Sequence, residues 1–280
     1  FKKNFTNKLK MVQKNILVSV LINNYNNQKF LKKSIDSCLN QTYKNIEIII
    51  FDDNSTDNSK KIIKKIKNKK LKKIFNSKKK RGSSALNQLN AINKSFLKSK
   101  GDLIFLLDSD DYFLKNKIKF IVNLFNKKKE LNFVQDNPIY FYPNQNLKVE
   151  KKLKKKFFTL HTWPYFNSTS TMVFKRNFLR KLLKDISFSN YNFKRMFFDA
   201  RAFIYIHFFE KNYMCLRKSL TVYTQNIYGD TIMNYEKKNV NWWTRRFEYH
   251  SYVKDLFYKK NKFHFKFIDY YLTYLIRFLF

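Results

Sequence analysis

The chain has 280 residues, of which 44% are hydrophobic and 19% aromatic, so it is long enough to bury a substantial core and is not a disordered chain. Its three glycines are too far apart for a glycine-rich nucleotide-binding loop of the dinucleotide or Walker type. Two cysteines and four scattered histidines exclude a zinc ribbon and a disulfide framework. This composition favours a reducing, cytoplasmic compartment.

The charge balance is strongly basic, with 58 Lys and Arg against 20 Asp and Glu and a formal net charge of +38. Such an excess suggests an anionic partner, either nucleic acid or a membrane surface. The lysines are nevertheless spread over almost every segment, beside abundant Asn, Ile, Phe and Tyr, as in the proteins of AT-rich genomes. A solvated lysine surface is therefore the favoured interpretation, and no specific nucleic acid is expected as a partner.

Residues 1–14 are basic and aperiodic and are interpreted as an N-terminal tail. After them, apolar runs alternate with segments of helical periodicity, and a further helix is predicted over 114–125. The predicted strands of this part are 16–22, 46–51, 71–75 and 103–107. Strands that alternate with helices predict an α/β fold, with a mostly parallel, Rossmann-like sheet and helices on both faces.

The pattern changes after residue 128, where short strands are predicted between prolines and a lysine run. These strands are 133–134, 139–142 and 171–175, and helices are predicted over 176–184 and 199–209. The last residues are aromatic and helical in pattern. We therefore divide the chain into a first half at 15–128, a second half of the same domain at 129–230, and a C-terminal helical extension at 231–280.

The few acidic residues are unevenly placed. Residues 52–57 and 102–111 hold seven of the 20 acids in 16 positions, where an even distribution would place about one. Asp52-Asp53 and the Asp108–Asp111 segment each follow an apolar strand directly. They are therefore expected at the carboxyl edge of the sheet, where open parallel sheets bind ligands.

Three carboxylates within the four residues 108–111 repel one another unless a cation lies among them. Their hard oxygens suit Mg²⁺ or Mn²⁺ rather than zinc, and such a site keeps positions open for a diphosphate. A single Asp after a strand commonly caps the next helix, but capping explains a cluster poorly. The Asp52–Ser55 segment is either a plain turn with helix capping or a carboxylate that accepts the N3 proton of uracil or thymine.

Two segments carry a family resemblance, namely VSVLINNYNNQKFLKKSIDSCLNQTYKNIEIIIFDDNSTDNS and KGDLIFLLDSDDYFLKNKI. In order and spacing they resemble the nucleotide-binding half of the family 2 glycosyltransferases, over roughly residues 15–125. A weaker match continues through Trp163, through STMVFKR at 170–176, and into FFDARAFIYI around Asp199. The resemblance implies a GT-A fold, with a nucleotide-sugar-binding half at 15–128 and an acceptor-binding half at 129–230.

By position, the resemblance also implies the donor site. Asn23 and Tyr25 would line the base pocket, and Asp53, with Asp52 beside it, would hold a uracil-type base. Asp108 would form, with Asp110, the D-x-D element that contacts the ribose and the metal. One departure from the family pattern lies in this turn, where Asn54 replaces the common Gly; Asn tolerates left-handed backbone.

The resemblance further implies the metal site and the catalytic base. Asp110 belongs to the D-x-D element that contacts Mn²⁺ or Mg²⁺, and Asp111 is a candidate ligand beside it. Asp199 matches the residue that deprotonates the acceptor, although Phe198 stands where Glu often precedes that base. The alternative roles for Asp199 are a helix N-cap and an ion-pair partner of Arg201 or Arg195.

Together these observations predict an inverting, metal-dependent glycosyltransferase of cell-envelope polysaccharide synthesis, with a nucleotide-sugar donor, most simply a UDP-sugar, and a glycan or lipid-linked acceptor. Trp163, which lies beside a proline, either stacks on the acceptor sugar or packs in the core. The apolar, basic-edged segment 266–279 is expected to be helical and to attach peripherally to anionic membrane, unless it packs on the core. The alternatives are a non-enzymatic basic protein that binds nucleic acid or membrane and, more remotely, a D-x-D phosphatase.

Overall fold

A computed structural model describes residues 15–77, 83–150, 166–186, 193–225, 240–262, 270–271 and 274–275. The strands in these ranges are β1 (Val18–Asn24), β2 (Ile46–Asp52), β3 (Leu71–Phe75), β4 (Leu103–Asp108), β5 (Tyr112–Phe113), β6 (Phe133–Tyr142), β7 (Leu147–Glu150), β8 (Met172–Lys175) and β9 (Tyr213–Thr224). The helices are α1 (Gln28–Leu39), α2 (Ser59–Lys65), α3 (Ser84–Lys98), α4 (Lys117–Lys127), α5 (Arg176–Ile186), α6 (Phe198–Phe209) and α7 (Val240–Lys259).

The first half forms the parallel part of the sheet, in the order β3-β2-β1-β4. The strands β1, β2 and β4 are largely apolar and buried, which is typical of strands that helices cover on both faces, whereas β3 at the end of the sheet is partly exposed. The register places Asn23 opposite Asp108 and Asn24 opposite Asp52. The predicted α/β fold is therefore confirmed, and both acidic segments lie at one edge of the sheet.

Beyond β4 the sheet becomes mixed. β8 pairs antiparallel with β4 and with β6, while β9 runs parallel to β6 and antiparallel to β5. The two strands predicted at 133–134 and 139–142 are one continuous strand, β6. The pairing register with β9 shifts around Asn137 and Pro138, and such an irregularity accommodates a proline, which has no N–H to donate to the neighbouring strand. The sheet thus continues across the predicted boundary between the two halves.

Helices cover both faces of the sheet. Buried side chains of α1, α2 and α4 form one core, and those of α3, α5, α6 and α7 form the other. In α7, Tyr252, Val253 and Leu256 are buried in the second core, so this part of the C-terminal extension packs on the main domain. Most of the segment 266–279 lies outside the described residues. None of the described helices is both long enough and apolar enough to cross a membrane.

Candidate active site

The turn after β2 is held together by Asp52. This side chain is fully buried, and its carboxylate accepts hydrogen bonds from Asn24 Nδ2 at 2.7 Å, from the Ser55 N–H at 3.0 Å and from the Ser55 hydroxyl at 2.7 Å. Asn54 has a φ of 60°, so the expected left-handed residue is present. Asp52 therefore stabilises the turn, because its buried carboxylate forms hydrogen bonds within the protein.

Asp53 is presented differently by the same turn. Its backbone N–H donates to the Asn24 carbonyl at 2.9 Å, and its Oδ1 accepts from Asn76 Nδ2 at 2.7 Å. The second carboxylate oxygen makes no hydrogen bond with any described residue. Asn76, which follows β3 and was missed in the sequence, thus fixes a carboxylate that retains a free acceptor.

Like charges crowd the turn after β4. Burial raises the pKa of Asp108 to about 6, with the side-chain amides of Gln88 and Asn23 opposing the rise. Burial and the neighbouring Asp108 charge raise the pKa of Asp110 to about 7. The Asp110 carboxylate makes no side-chain hydrogen bond in the described part of the chain. The turn is thus an unfavourable place for several carboxylates unless a positive charge joins them.

Asp111 is in a different position from its two neighbours. It is 1% exposed, its Oδ2 accepts from the Ser170 hydroxyl at 2.5 Å, and its Oδ1 accepts from the Thr224 N–H at 2.7 Å. Burial and the charges of Asp110 and Asp108 raise its pKa well above the ordinary value. Asp111 therefore joins the turn to β9, and its expected role as a metal ligand stays a prediction.

Asp199 lies in the first turn of α6, where its Oδ1 accepts from the Ala200 N–H at 2.7 Å. Burial raises the pKa of Asp199 to about 7, the Asp108 charge adds to the rise, and Arg245 of α7 opposes it. The fold therefore brings Asp199 into electrostatic range of the Asp108 turn, although about 90 residues separate them in the sequence.

The structure removes the alternative roles for Asp199. The N-cap of α6 is Phe197. Arg201 donates to the carbonyls of Phe193 and Met196, and Arg195 pairs with Glu248 at 2.6 Å.

Gln88 and Tyr223 were also missed in the sequence. Gln88 Nε2 donates to Asp108 at 3.2 Å, while its Oε1 accepts from the Phe198 N–H at 3.1 Å, so one side chain joins the acidic turn to the start of α6. Burial raises the pKa of Tyr223, and the charges of Asp111, Asp110, Asp199 and Asp108 add to the rise.

The other predicted site residues are less central. Asn23 is partly buried at the end of β1, and Tyr25 is exposed just beyond it. Trp163 lies outside the described residues.

Asp108 and Asp110 are the candidate pair of metal ligands: Asp108 accepts from Gln88 Nε2 at 3.2 and 3.3 Å, and the Asp110 carboxylate accepts from no described side chain. Among the described residues, no group of three or more His, Cys, Asp or Glu side chains could hold a metal ion alone. Mg²⁺ is commonly bound by one or two carboxylates, with phosphate oxygens and water completing the coordination. The hard oxygens and crowded negative charge of this pair therefore fit a divalent ion that is shared with a diphosphate, rather than a closed protein cage.

Comparison with known proteins shows the family of the chain. A family model described as "Glycosyl transferase family 2" matches residues 19–187, which is more than half of the chain. The chain is 37% identical over 135 residues to the UDP-Glc:alpha-D-GlcNAc-diphosphoundecaprenol beta-1,3-glucosyltransferase WfaP of Escherichia coli, covering 48% of this chain and 47% of WfaP. The chain spans about half the length of the curated relatives it matches.

Solved structures show the same fold. S. aureus TarS 1–349 in complex with UDP matches with a TM-score of 0.60 at 18% identity, over 85% of this chain and 65% of that chain. The mannosyltransferase PcManGT from Pyrobaculum calidifontis, in complex with GDP-Man and Mn²⁺, matches with a TM-score of 0.56 at 12% identity, over 86% of this chain and 64% of that chain.

Proposed function

The chain belongs to glycosyl transferase family 2 and is a glycosyltransferase, and we propose that it moves a sugar from a UDP-sugar to a lipid-linked acceptor with inversion. The observation that carries this proposal is the convergence of Asp108, Asp110 and Asp199 at the carboxyl edge of the sheet. Asp108 and Asp110 share one turn, Gln88 joins that turn to the start of α6, which carries Asp199, and each of the three carboxylates has a raised pKa. Perturbed groups of this kind cluster at functional sites.

Asp53 is proposed to recognise the base of the donor. Its unused oxygen would accept the N3 proton of uracil, with Asn23 and Tyr25 lining the pocket and Asp52 supporting the turn. UDP is the nucleotide bound in the TarS structure, whereas the mannosyltransferase binds GDP-Man, so base specificity is a direct test of this assignment.

Asp108 and Asp110 are proposed to hold Mn²⁺ or Mg²⁺ together with the diphosphate. When bound, a divalent ion stabilises the negative charge that the departing diphosphate gains. The two side chains would orient this end of the donor, while Gln88 keeps Asp108 in position relative to α6.

Asp199 is proposed as the general base. The acceptor hydroxyl oxygen forms a bond to the anomeric carbon, and its proton passes to the Asp199 carboxylate. The bond from that carbon to the diphosphate oxygen breaks, and its electron pair leaves with the nucleoside diphosphate. A base with a pKa near 7 suits proton transfer at neutral pH, and a single displacement inverts the anomeric configuration.

The acceptor is proposed to be carried on a lipid diphosphate, as the name of WfaP states for that enzyme. The net charge of +38 would favour peripheral approach to an anionic membrane, where such an acceptor would be met. Trp163 stays the candidate for stacking on the acceptor sugar. Sedimentation with anionic vesicles at low salt tests the membrane step, and protein that stays in the supernatant contradicts it.

The experiment that tests the donor is a thermal-shift screen of nucleotide sugars with and without Mn²⁺. A ligand at about 100 times its Kd adds about 2.7 kcal/mol to the free energy of unfolding, which is readily measured. A UDP-sugar should raise the melting temperature in the presence of Mn²⁺ and lose this effect with EDTA. Equal shifts with every nucleotide, or shifts that ignore Mn²⁺, would contradict the proposal.

A further inference from the structure

We propose that Ser170 is a positioning residue, fixed from below by a buried Lys117–Asp136 ion pair, that holds the Asp108–Asp111 turn in its metal-binding shape. Ser170, Lys117 and Asp136 are called the Ser170 network below. The proposal rests on the proposed function, because the turn it supports is the one assigned to the metal and the diphosphate.

The Ser170 hydroxyl lies between the first and last acids of the turn. Its oxygen accepts from the Asp108 N–H at 3.0 Å, and its proton goes to Asp111 Oδ2 at 2.5 Å. Ser170 is fully buried, so water does not replace either hydrogen bond. One oxygen atom therefore sets the separation of Asp108 and Asp111, with Asp110 between them.

The backbone of Ser170 is fixed in turn by Lys117. The Lys117 ammonium donates to the Ser170 carbonyl at 2.9 Å and to Thr221 Oγ1 at 2.5 Å, and it pairs with Asp136 Oδ2 at 2.7 Å. Both charged side chains are fully buried. The Thr221 hydroxyl donates to Asp136 at 3.0 Å, so every partner of the ammonium is itself held in place.

The location of this ion pair explains why it is useful. Buried ion pairs are weak contributors to stability, since apolar residues of similar volume often serve as well or better. Here the pair joins the start of α4 to β6, to β9 and to the short 3-10 turn Thr169–Thr171. These are the elements that meet beneath the acidic turn. Groups that orient metal ligands from outside the coordination shell commonly matter about 10–100-fold for metal affinity.

The first test is Ser170→Ala, with Ser168→Ala as a matched control. The Ser168 hydroxyl is buried close by and makes no hydrogen bond with the described residues. In metal-free protein, Ser170→Ala should speed hydrogen exchange at the Asp108 and Thr224 amides, and the control should leave it unchanged. The Mn²⁺ concentration needed for UDP binding should rise about 10–100-fold, while kcat at saturating donor and metal changes less.

The outcomes of this test are separable. The positioning role is overturned if Ser170→Ala and Ser168→Ala show the same rate of hydrogen exchange at the Asp108 amide and the same Mn²⁺-dependent binding of UDP. If the wild-type protein shows no Mn²⁺-dependent UDP binding, the proposed function fails, and exchange at Asp108 in metal-free protein still decides whether Ser170 holds the turn.

The ion pair is tested by the double variant Lys117→Met with Asp136→Asn. Either single change leaves one buried charge without its partner and is expected to destabilise the fold, whereas the double change removes both charges together. The double variant should fold, with a weakened apparent Mn²⁺ affinity in the folded protein. A lowered melting temperature with wild-type Mn²⁺ affinity would show that the pair only stabilises the fold.

Discussion

The two edges of the parallel sheet carry carboxylates whose pKa values are shifted in opposite directions. At the amino edge, Glu47 accepts from Ser19 at 2.7 Å and from Lys72 at 2.6 Å. Burial opposes its ionisation, but these donors and a backbone N–H outweigh burial and hold the pKa of Glu47 below its usual value. At the carboxyl edge, burial and like charge raise the pKa of Asp108 and Asp110.

The difference shows that one sheet places a carboxylate with a stabilising role at one edge and carboxylates with a proposed functional role at the other. The amino edge neutralises its carboxylate with donors from three neighbouring strands and loops, so nothing is left for a ligand. The carboxyl edge leaves charge uncompensated at the place proposed to bind the metal and the diphosphate and to accept the proton. The predictions below test this separation, and they begin at the carboxyl edge.

The largest effect is expected from Asp199→Asn. The amide keeps the size of the side chain but does not accept the proton of the acceptor hydroxyl, so transfer should fall by ~10²–10⁴-fold while donor binding persists. Product formation at saturating donor, together with the affinity for UDP, measures the two effects. Asp185→Asn is the control, because Asp185 is bound to Tyr205 instead of facing the acidic turn.

Two results would contradict this assignment. Near-normal turnover of Asp199→Asn would move the base to another residue. A product that retains the anomeric configuration of the donor would exclude a single displacement.

Asp110→Asn should have the next largest effect. Loss of one charged ligand should weaken Mn²⁺-dependent UDP binding by ~10²-fold and leave the fold intact, since Asp110 makes no side-chain hydrogen bond within the described residues. Calorimetric titration of UDP at several Mn²⁺ concentrations gives the affinity. Asp36→Asn, which removes an exposed acid of α1, is the control. Unchanged affinity in Asp110→Asn would remove the metal from this turn.

Asp53 should set the preference for the base. Binding of a cytosine nucleotide would leave the carboxylate acceptor unpaired, which costs ~1–3 kcal/mol. Wild-type protein should therefore bind UDP more tightly than CDP, and Asp53→Ala should lose this preference by weakening UDP alone. Competition between the two nucleotides measures the difference. If the wild type binds both equally, Asp53 does not recognise the base.

The pH dependence of the reaction should follow Asp199. The base works only when ionised, and its pKa is raised to about 7, so kcat/KM should fall about tenfold per pH unit below that value. Arg245→Gln removes a charge that opposes the rise and should shift the acid limb to higher pH. Arg180→Gln, a change on the far side of α5, should leave the profile unchanged. If Arg245→Gln leaves the acid limb of the kcat/KM profile unchanged, Asp199 is not the group that titrates in that limb.

The sequence indicated the first half of the molecule well. Apolar runs that alternate with amphipathic segments define β1 to β4, and parallel strands bring their carboxyl ends to one edge, so the placement of Asp52 and Asp108 at the same edge followed from topology alone. The left-handed Asn54 followed from residue chemistry. The roles of the site residues came from the family resemblance, and they stay predictions.

The second half was less predictable because long-range pairing determines it. β9 was missed, since Arg217 and Lys218 interrupt its alternation and only pairing with β6 and β5 makes it a strand. Lys117 had a weak signal, as it lies one helical turn before the buried Ile121. In a chain with 58 basic residues nothing marked it as the buried one, and its partner Asp136 is supplied by a different strand.

The smallest effect on activity is expected from Glu47→Gln at the amino edge. Glu47 receives charge-assisted hydrogen bonds, so the amide should lower the free energy of unfolding by ~1–3 kcal/mol at neutral pH. Because the folded pKa of Glu47 lies below 4.5, its contribution is full above that pH and is lost as the pH falls through the folded pKa. Urea unfolding should therefore be measured at neutral pH and at a pH below the folded pKa of Glu47. The difference in the free energy of unfolding between variant and wild type should be smaller at the acid pH. Transfer rate and Mn²⁺ affinity of the folded variant should not change, and a loss of either under conditions where the variant is fully folded would show that the two edges are coupled.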